Sequence, residues 1–137
     1  MKSPLQSHRH QAFTLVEIMI IVALIAIISA LAMPNFLRAR KRAQATRILD
    51  DLRLVDGALD LYATENGKSV GDPAAWVDLQ PYFKKGTPLA NSNGLDLLGN
   101  AFNDGSFSVD SLPKLNTDTF ASLSDVAPSD FWSPFAP

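Results

Sequence analysis

An ionisable side chain near the start of a long apolar stretch is the residue best placed for a chemical role. Glu17 is followed by Ile18–Leu37, a stretch without a charged residue. About 20 such residues suffice for a helix to cross the hydrocarbon core of a bilayer. A carboxylate here costs on the order of 2–3 kcal/mol unless a partner neutralises it. Glu17 is therefore a candidate functional residue; the alternative is a carboxylate solvated at headgroup depth.

The composition excludes most catalytic and metal chemistry. The chain contains no cysteine, and both histidines, His8 and His10, precede the apolar stretch. Residues 13–137 therefore contain neither histidine nor cysteine. They lack the usual zinc ligands, histidine as the commonest general base, and the cysteine thiolate as a nucleophile. Serine and aspartate are plentiful but form no nucleophile motif, so we predict no catalytic residue and no enzyme activity. A membrane-anchored binding or enzymatic domain is an open alternative.

Charge is distributed unevenly along the chain. A basic cluster follows the apolar stretch directly and comprises Arg38, Arg40, Lys41, Arg42 and Arg47. We expect it to attract anionic lipid headgroups, with DNA capture as the alternative. Beyond Arg53, 11 acidic residues stand against 4 lysines. This acidic distal part argues against nucleic-acid binding, so no nucleic acid is expected as a partner.

The residues around the apolar stretch match a known pattern. Ala12–Glu17, the stretch itself, Pro34–Phe36 and Arg38–Arg40 together resemble the amino-terminal signature of type IV pilins and type II secretion pseudopilins. In that family a short basic leader is cut before a phenylalanine, which is then N-methylated, and the fifth mature residue is a glutamate. The resemblance implies a leader over 1–12, with cleavage between Ala12 and Phe13 and methylation of Phe13. Alanine replaces the family's usual glycine before the cut, so cleavage is expected to be slower.

The resemblance also implies a role for Glu17 and a set of partners. Glu17 would pair with the N-terminal ammonium of Phe13 on a neighbouring copy, and Pro34 would be the helix-bending proline. The expected partners are copies of the chain, other pilin-like subunits, a prepilin peptidase and an inner-membrane assembly platform. The implied product is a type IV pilus-like filament, most simply the pseudopilus of a type II secretion system, with an extended surface pilus left open.

The resemblance further implies a single-pass protein of the bacterial inner membrane, with its head in the periplasm and extractable into a periplasmic or surface filament. Counting lysine and arginine at the two ends of the apolar stretch would favour the opposite orientation. The basic flank is itself part of the matched pattern, so the periplasmic orientation is preferred. A conventionally secreted soluble protein is the competing interpretation, because Ala30-Leu31-Ala32 fits the small-x-small rule for cleavage after Ala32.

The periodicity predicts one long helix from Phe13 to about Glu65. Its assembly half spans 13–37, and its amphipathic half spans 38–66. The second half carries apolar residues at helical spacing: Ile48, Leu52, Val55, Leu59 and Tyr62. Asn66-Gly67 is a typical helix stop. With a head over 67–137, the expected fold class is α+β and pilin-like, a long helix packed on a small head with a short helix and a small antiparallel sheet.

Within the head, Asp72 and Pro73 predict a short helix that is capped by Asp72 and extends to about Gln80. Ala101–Asp110 is interpreted as a β-hairpin with its turn at Asn103-Asp104-Gly105. A helical turn or two is expected over 118–123, followed by an irregular tail. Leu98–Phe102 looks like a turn that precedes the calcium loop of the family's major secretion pseudopilin. We expect no cofactor, and the weak candidates for calcium are Asp104, Asp110, Asp118 and Asp125.

Overall fold

A computed structural model describes residues 13–137, so the predicted leader and Ala12 lie outside the described residues. Over these residues the structure contains one long helix, two short α-helices and a two-stranded antiparallel sheet, which confirms the predicted α+β class. In chain order the elements are α1 (Leu15–Asn66), β1 (Pro73–Ala74), α2 (Trp76–Leu79), β2 (Phe107–Ser108) and α3 (Thr117–Leu123). The chain divides into two compact units, one ending at Leu37 and the other beginning at Arg38.

The first unit contains the apolar part of α1. From Phe13 to Leu37 every residue is exposed, and helix α1 is long and apolar enough to cross a membrane. Pro34 lies inside the helix, where its missing amide hydrogen leaves one carbonyl without its usual donor. One turn earlier, the Leu31 carbonyl accepts a bond from the side-chain amide of Asn35 at 3.4 Å.

The second unit packs around the amphipathic half of α1. All five apolar residues of the predicted stripe are buried in its core, which confirms the helical period. The helix ends at Asn66, one residue beyond the predicted end. Gly67 follows with a φ of 57°, and the Lys68 amide donates to the Ala63 carbonyl at 3.0 Å. This is the helix termination that favours glycine in the left-handed region.

An aromatic cluster joins α2 to the rest of the head. The Trp76 ring lies beside three phenylalanine rings, with centroid distances of 5.0 Å to Phe83, 6.1 Å to Phe102 and 6.0 Å to Phe107. The backbone at Gly94 approaches the same indole so closely that a Cβ there would lie 3.3 Å from it, and its φ is 82°. Glycine is thus required at this position for both space and conformation.

The predicted hairpin over 101–110 is wrong. Strand β2 pairs with β1, which is distant in sequence, in the register Pro73 to Ser108 and Ala74 to Phe107. Phe102–Gly105 instead forms a 3-10 turn in which Asn103 and Asp104 have positive φ. The predicted turn residues are present, but the backbone partner of β2 comes from the segment before α2.

The predicted capping of the short helix by Asp72 is also wrong. Helix α2 begins at Trp76, and the Asp78 carboxylate accepts the Ala75 amide at 2.9 Å. The Asp72 carbonyl instead accepts the Val109 amide at 2.9 Å. Because strand pairing with β2 holds this backbone extended, Asp72 and Pro73 cannot also start a helix.

The carboxyl-terminal part closes the core. Helix α3 confirms the predicted helical turns, and Asn116 caps it by accepting the Asp118 amide at 2.9 Å. The tail is more regular than predicted, since Ser129–Trp132 forms a 3-10 helix. Trp132 is fully buried, and its Nε1 donates to the Ala127 carbonyl at 3.0 Å.

Two neighbouring leucines of α1 test this division between core and surface. Leu52 is fully buried, whereas Leu54 is 57% exposed. We predict that Leu52→Ala lowers the free energy of unfolding by about 2–5 kcal/mol, because it leaves a cavity. Leu54→Ala is the matched control and should change it by no more than about 0.5 kcal/mol. Thermal unfolding of the full chain in detergent measures both, and equal losses would contradict the burial described.

Candidate assembly site

The start of helix α1 holds the Glu17 carboxylate in a defined position. The backbone amide of Thr14 donates to Glu17 Oε2 at 2.8 Å, and the Thr14 hydroxyl donates to the same oxygen at 3.1 Å. In return, the Glu17 amide donates to Thr14 Oγ1 at 3.2 Å. This reciprocal pattern is a capping box, with Thr14 as the N-cap and Glu17 as the third helical residue. The carboxylate therefore also lies at the positive end of the helix dipole.

The capping box leaves part of the carboxylate available. Both bonds from Thr14 end on Oε2, and Oε1 takes part in no hydrogen bond among residues 13–137. Phe13, the residue directly before the cap, is 77% exposed. The local bonds fix the rotamer of Glu17 without using its full capacity as an acceptor. An ionised carboxylate can accept at both oxygens, so a second partner from another molecule can be accommodated.

The surroundings of this carboxylate are apolar and uncovered. Sixteen of the exposed large hydrophobic residues fall between Phe13 and Leu37, where exposed fractions range from 46% to 77%. A contiguous apolar surface of this extent is a site for lipid or for other protein chains. The arrangement can hold a charge at a fixed depth in an apolar medium. It offers no nucleophile, acid–base pair or metal-ligand set within the described part of the site.

Thr14 is the partner of Glu17 that the sequence interpretation missed. Thr14-Leu15-Val16-Glu17 has the threonine-x-x-glutamate spacing of a capping box directly before an apolar run. That signal was available in the sequence. The interpretation considered only a distant positive partner for Glu17, whereas the structure adds a local one.

The four aspartates considered for calcium have separate surroundings. Asp104 accepts a bond from the Asn116 side chain at 3.0 Å, and Asp118 lies in the first turn of α3. Asp125 pairs with Lys41 at 3.0 Å, and Asp110 has a φ of 64°. No group of three or more histidine, cysteine or acidic residues in 13–137 is placed to hold a metal ion.

The basic cluster also contains members that are paired within the head. Lys41 Nζ bonds both carboxylate oxygens of Asp125, and Arg47 Nε lies 3.8 Å from Asp51 Oδ2. Burial raises the pKa of the Asp51 carboxyl above its ordinary value, Arg47 opposes this, and Asp50 and Asp96 add to it. Arg38, Arg40 and Arg42 are exposed.

The comparisons with known proteins include the residues of this site. The family model described as the prokaryotic N-terminal methylation motif matches residues 7–33, which include Phe13, Thr14 and Glu17. The amino-terminal segment of the chain is similar to that of type IV pilins and type II secretion pseudopilins. No solved structure matches the chain. Together with this similarity, the apolar, membrane-length part of α1 indicates a membrane-anchored protein.

Curated relatives come from both branches of the pilin and pseudopilin family. Type II secretion system core protein G of Klebsiella pneumoniae is 32% identical over 60 residues, 44% of this chain and 43% of the relative. The same-named protein of Pseudomonas aeruginosa is 30% identical over 61% of this chain and 56% of the relative. The type IV wide pilus major component PilA4 of Thermus thermophilus is 36% identical over 50% of this chain and 53% of the relative. The chain spans about half the length of the curated relatives it matches. These matches do not favour the alternative of a secreted protein cleaved after Ala32.

The pKa of Asp51 generates a prediction about stability and pH. A carboxyl whose pKa is raised by folding contributes stability while it is protonated, and this contribution is lost as the pH rises from about 4 through the folded-state pKa. Asp51→Asn should therefore show a smaller decline in melting temperature over that range than the unchanged chain. Arg47→Gln removes the opposing cation and should make the decline steeper. Parallel melting profiles of all three proteins against pH would contradict this assignment.

Proposed function

We propose that the chain is a structural, non-catalytic subunit of a type IV pilus-like filament, acting as a pseudopilin of a type II secretion system. The observation that carries the proposal is the capped Glu17 carboxylate at the start of an uncovered apolar helix, within the methylation motif. Several core protein G relatives support the secretion branch. No cofactor enters the proposed role.

The first steps place and process the subunit. The apolar half of α1 holds the precursor in the bacterial inner membrane, with the leader in the cytoplasm and the head in the periplasm. A prepilin peptidase cuts between Ala12 and Phe13, and Phe13 is N-methylated. Processing creates a positively charged amine four residues before Glu17. Without the cut, that position is an uncharged peptide bond and the carboxylate has no ammonium to meet.

Pairing then sets the register between subunits. Glu17 of an incoming copy accepts the Phe13 ammonium of its neighbour, using the oxygen that the Thr14 cap leaves available. Two unit charges about 4 Å apart attract by about 4 kcal/mol at an effective dielectric constant of about 20. The capping bonds lie within one copy and are the same at every axial offset. The ion pair therefore dominates the choice of axial offset, and the cap presents the carboxylate in the required rotamer.

Apolar burial then supplies the cohesion. In a filament, the large apolar side chains between Leu15 and Leu37 exchange lipid for one another and for the surfaces of neighbouring copies. The contact is head-to-tail and does not close on itself, so it propagates as an open helical polymer. An inner-membrane assembly platform supplies the energy to extract each subunit. Copies of this chain and other pilin-like subunits are the proposed partners.

A surface pilus is the second candidate product. It is favoured by the similarity to the wide pilus component of Thermus thermophilus, which has the highest identity among the relatives described here. Electron microscopy of cells that overproduce the protein separates the two products, because a surface pilus extends beyond the cell and a secretion pseudopilus is short.

Substitutions at Glu17 separate charge from capping. Glutamine at the third helical position maintains a capping box, so Glu17→Gln removes the charge while preserving the helix start. We predict normal membrane insertion and cleavage, but a filament yield lower by at least about tenfold, because several kcal/mol of pairing are lost. Yield is measured as sedimentable filaments per unit of mature protein.

Thr14→Ala is the complementary variant, because it removes the capping hydroxyl and leaves the charge in place. It should retain most of the filament yield, since it loses about 1 kcal/mol at the helix start. Normal filaments from Glu17→Gln would overturn the pairing step. A defect in Thr14→Ala as large as that in Glu17→Gln would indicate that the cap matters to assembly as much as the charge.

The position of the mature amino terminus is a separate prediction. Amino-terminal sequencing of protein extracted from membranes should begin at Phe13, with a mass increment for one methyl group. A mature chain beginning at Met33 would instead support conventional secretion with cleavage after Ala32. An uncleaved chain would remove the ammonium on which the pairing step depends.

A further inference from the structure

The basic cluster that follows the apolar stretch contains paired and unpaired members. Lys41 Nζ lies 3.0 and 3.1 Å from the two carboxylate oxygens of Asp125, and it donates to the Ser122 carbonyl at 3.3 Å. Arg47 lies beside Asp51, with its Nε 3.8 Å from Oδ2. These two cations are therefore already neutralised by carboxylates of their own chain.

Arg38, Arg40 and Arg42 are the other members of the cluster. All three are exposed, and none of their guanidinium groups takes part in an ion pair within residues 13–137. A guanidinium group offers five N–H donors in a planar fork, which matches the oxygens of a phosphate group. Three such groups next to a membrane-length apolar helix form a candidate site for an anionic ligand.

The position of these arginines along α1 corresponds to the level of the lipid headgroups. Arg38 directly follows Leu37, the last residue of the uncharged stretch. Arg42 lies about 6 Å beyond Arg38 along the helix, and Arg47 lies about 13.5 Å beyond it. The polar layer of a bilayer is about 5–8 Å thick on each side of the hydrocarbon core. The unpaired arginines therefore coincide with the headgroup layer, whereas Arg47 lies farther from the hydrocarbon core.

The helical period distributes the three guanidinium groups around α1. Arg38 and Arg42 are four positions apart and share one side of the helix, whereas Arg40 lies on nearly the opposite side. A bilayer surrounds the helix, so headgroups are within reach of both sides, and long arginine side chains can extend toward them. Duplex DNA would contact the helix from one side. The distribution therefore favours lipid over nucleic acid as the ligand.

We infer that Arg38, Arg40 and Arg42 bind the phosphate groups of anionic phospholipids around the membrane-anchored chain. The inference rests on membrane anchoring and does not depend on the proposed filament. The pair between Lys41 and Asp125 supports the site, because it neutralises a carboxylate of the head that would otherwise repel an anionic lipid. Each basic residue close to an anionic membrane surface changes an equilibrium constant by about fivefold.

Lipid selectivity of the full chain in vesicles tests the inference. The chain is reconstituted in phosphatidylcholine with a trace of spin-labelled phosphatidylglycerol or spin-labelled phosphatidylcholine. Electron spin resonance then gives the fraction of each label held at the protein. We expect the unchanged chain to favour phosphatidylglycerol by about twofold or more, because fivefold contacts are averaged with lipids that touch the apolar segment. Raising the salt from about 0.1 M to about 1 M shortens the screening length from about 10 Å to about 3 Å and should abolish the preference.

Two triple variants with the same change in net charge separate the unpaired cations from the paired ones. The first carries three substitutions in the unpaired set and should lose the preference for phosphatidylglycerol: Arg38→Gln, Arg40→Gln and Arg42→Gln. In the matched control the cations are paired within the chain, so most of the preference should remain. It carries Lys41→Gln, Arg47→Gln and Arg53→Gln. The apolar segment is unchanged in both variants, so both should insert into the vesicles.

Three results would contradict the inference. Equal losses in the two triple variants would mean that net charge attracts the lipid, without a special role for the three arginines. Equal retention of the two labelled lipids by the unchanged chain would rule out lipid selectivity. Duplex DNA bound by the chain in detergent and lost in the first triple variant, without any lipid preference, would assign the arginines to nucleic acid. Filament yield is a separate measurement, so the proposed function stands or fails independently.

Discussion

An apolar helix without a protein surface to cover it is the constraint on which the other features of this molecule depend. Between Leu15 and Leu37 the helix exposes large hydrophobic residues on every side, and water is an unfavourable environment for such a surface. Lipid and other protein chains are the environments that remain. Apolar contacts are non-directional, so they cannot by themselves select an axial offset between neighbouring copies. A carboxylate at one end of this surface can select it. In the proposed filament, the capped Glu17 supplies that selection.

Helix α1 serves two environments with different parts of its length. Its second half buries one stripe against the head and presents a face with charged residues to solvent. Its first half has no polar face at all.

Local signals in the sequence predicted the features that depend on local physics. The core stripe of α1, its end at Asn66, and helix α3 follow from periodicity and capping. The strand pairing could not be predicted in this way. Nothing near Phe107 indicates that its partner is Ala74. A two-residue strand shows almost no alternation of apolar and polar residues, and the pairing joins segments 33 positions apart. That pairing also overrode the helix-start signal at Asp72 and Pro73. At the site, the position of Glu17 followed from its apolar context, whereas its bond with Thr14 required attention to a capping pattern.

The aromatic cluster of the head has a spectroscopic consequence. Both tryptophans of the chain, Trp76 and Trp132, lie in the unit that begins at Arg38, one stacked among phenylalanines and the other fully buried. The apolar segment from Leu15 to Leu37 contains no indole. Intrinsic fluorescence therefore reports the folding of the head alone, whether lipid, detergent or neighbouring copies surround the segment that anchors it.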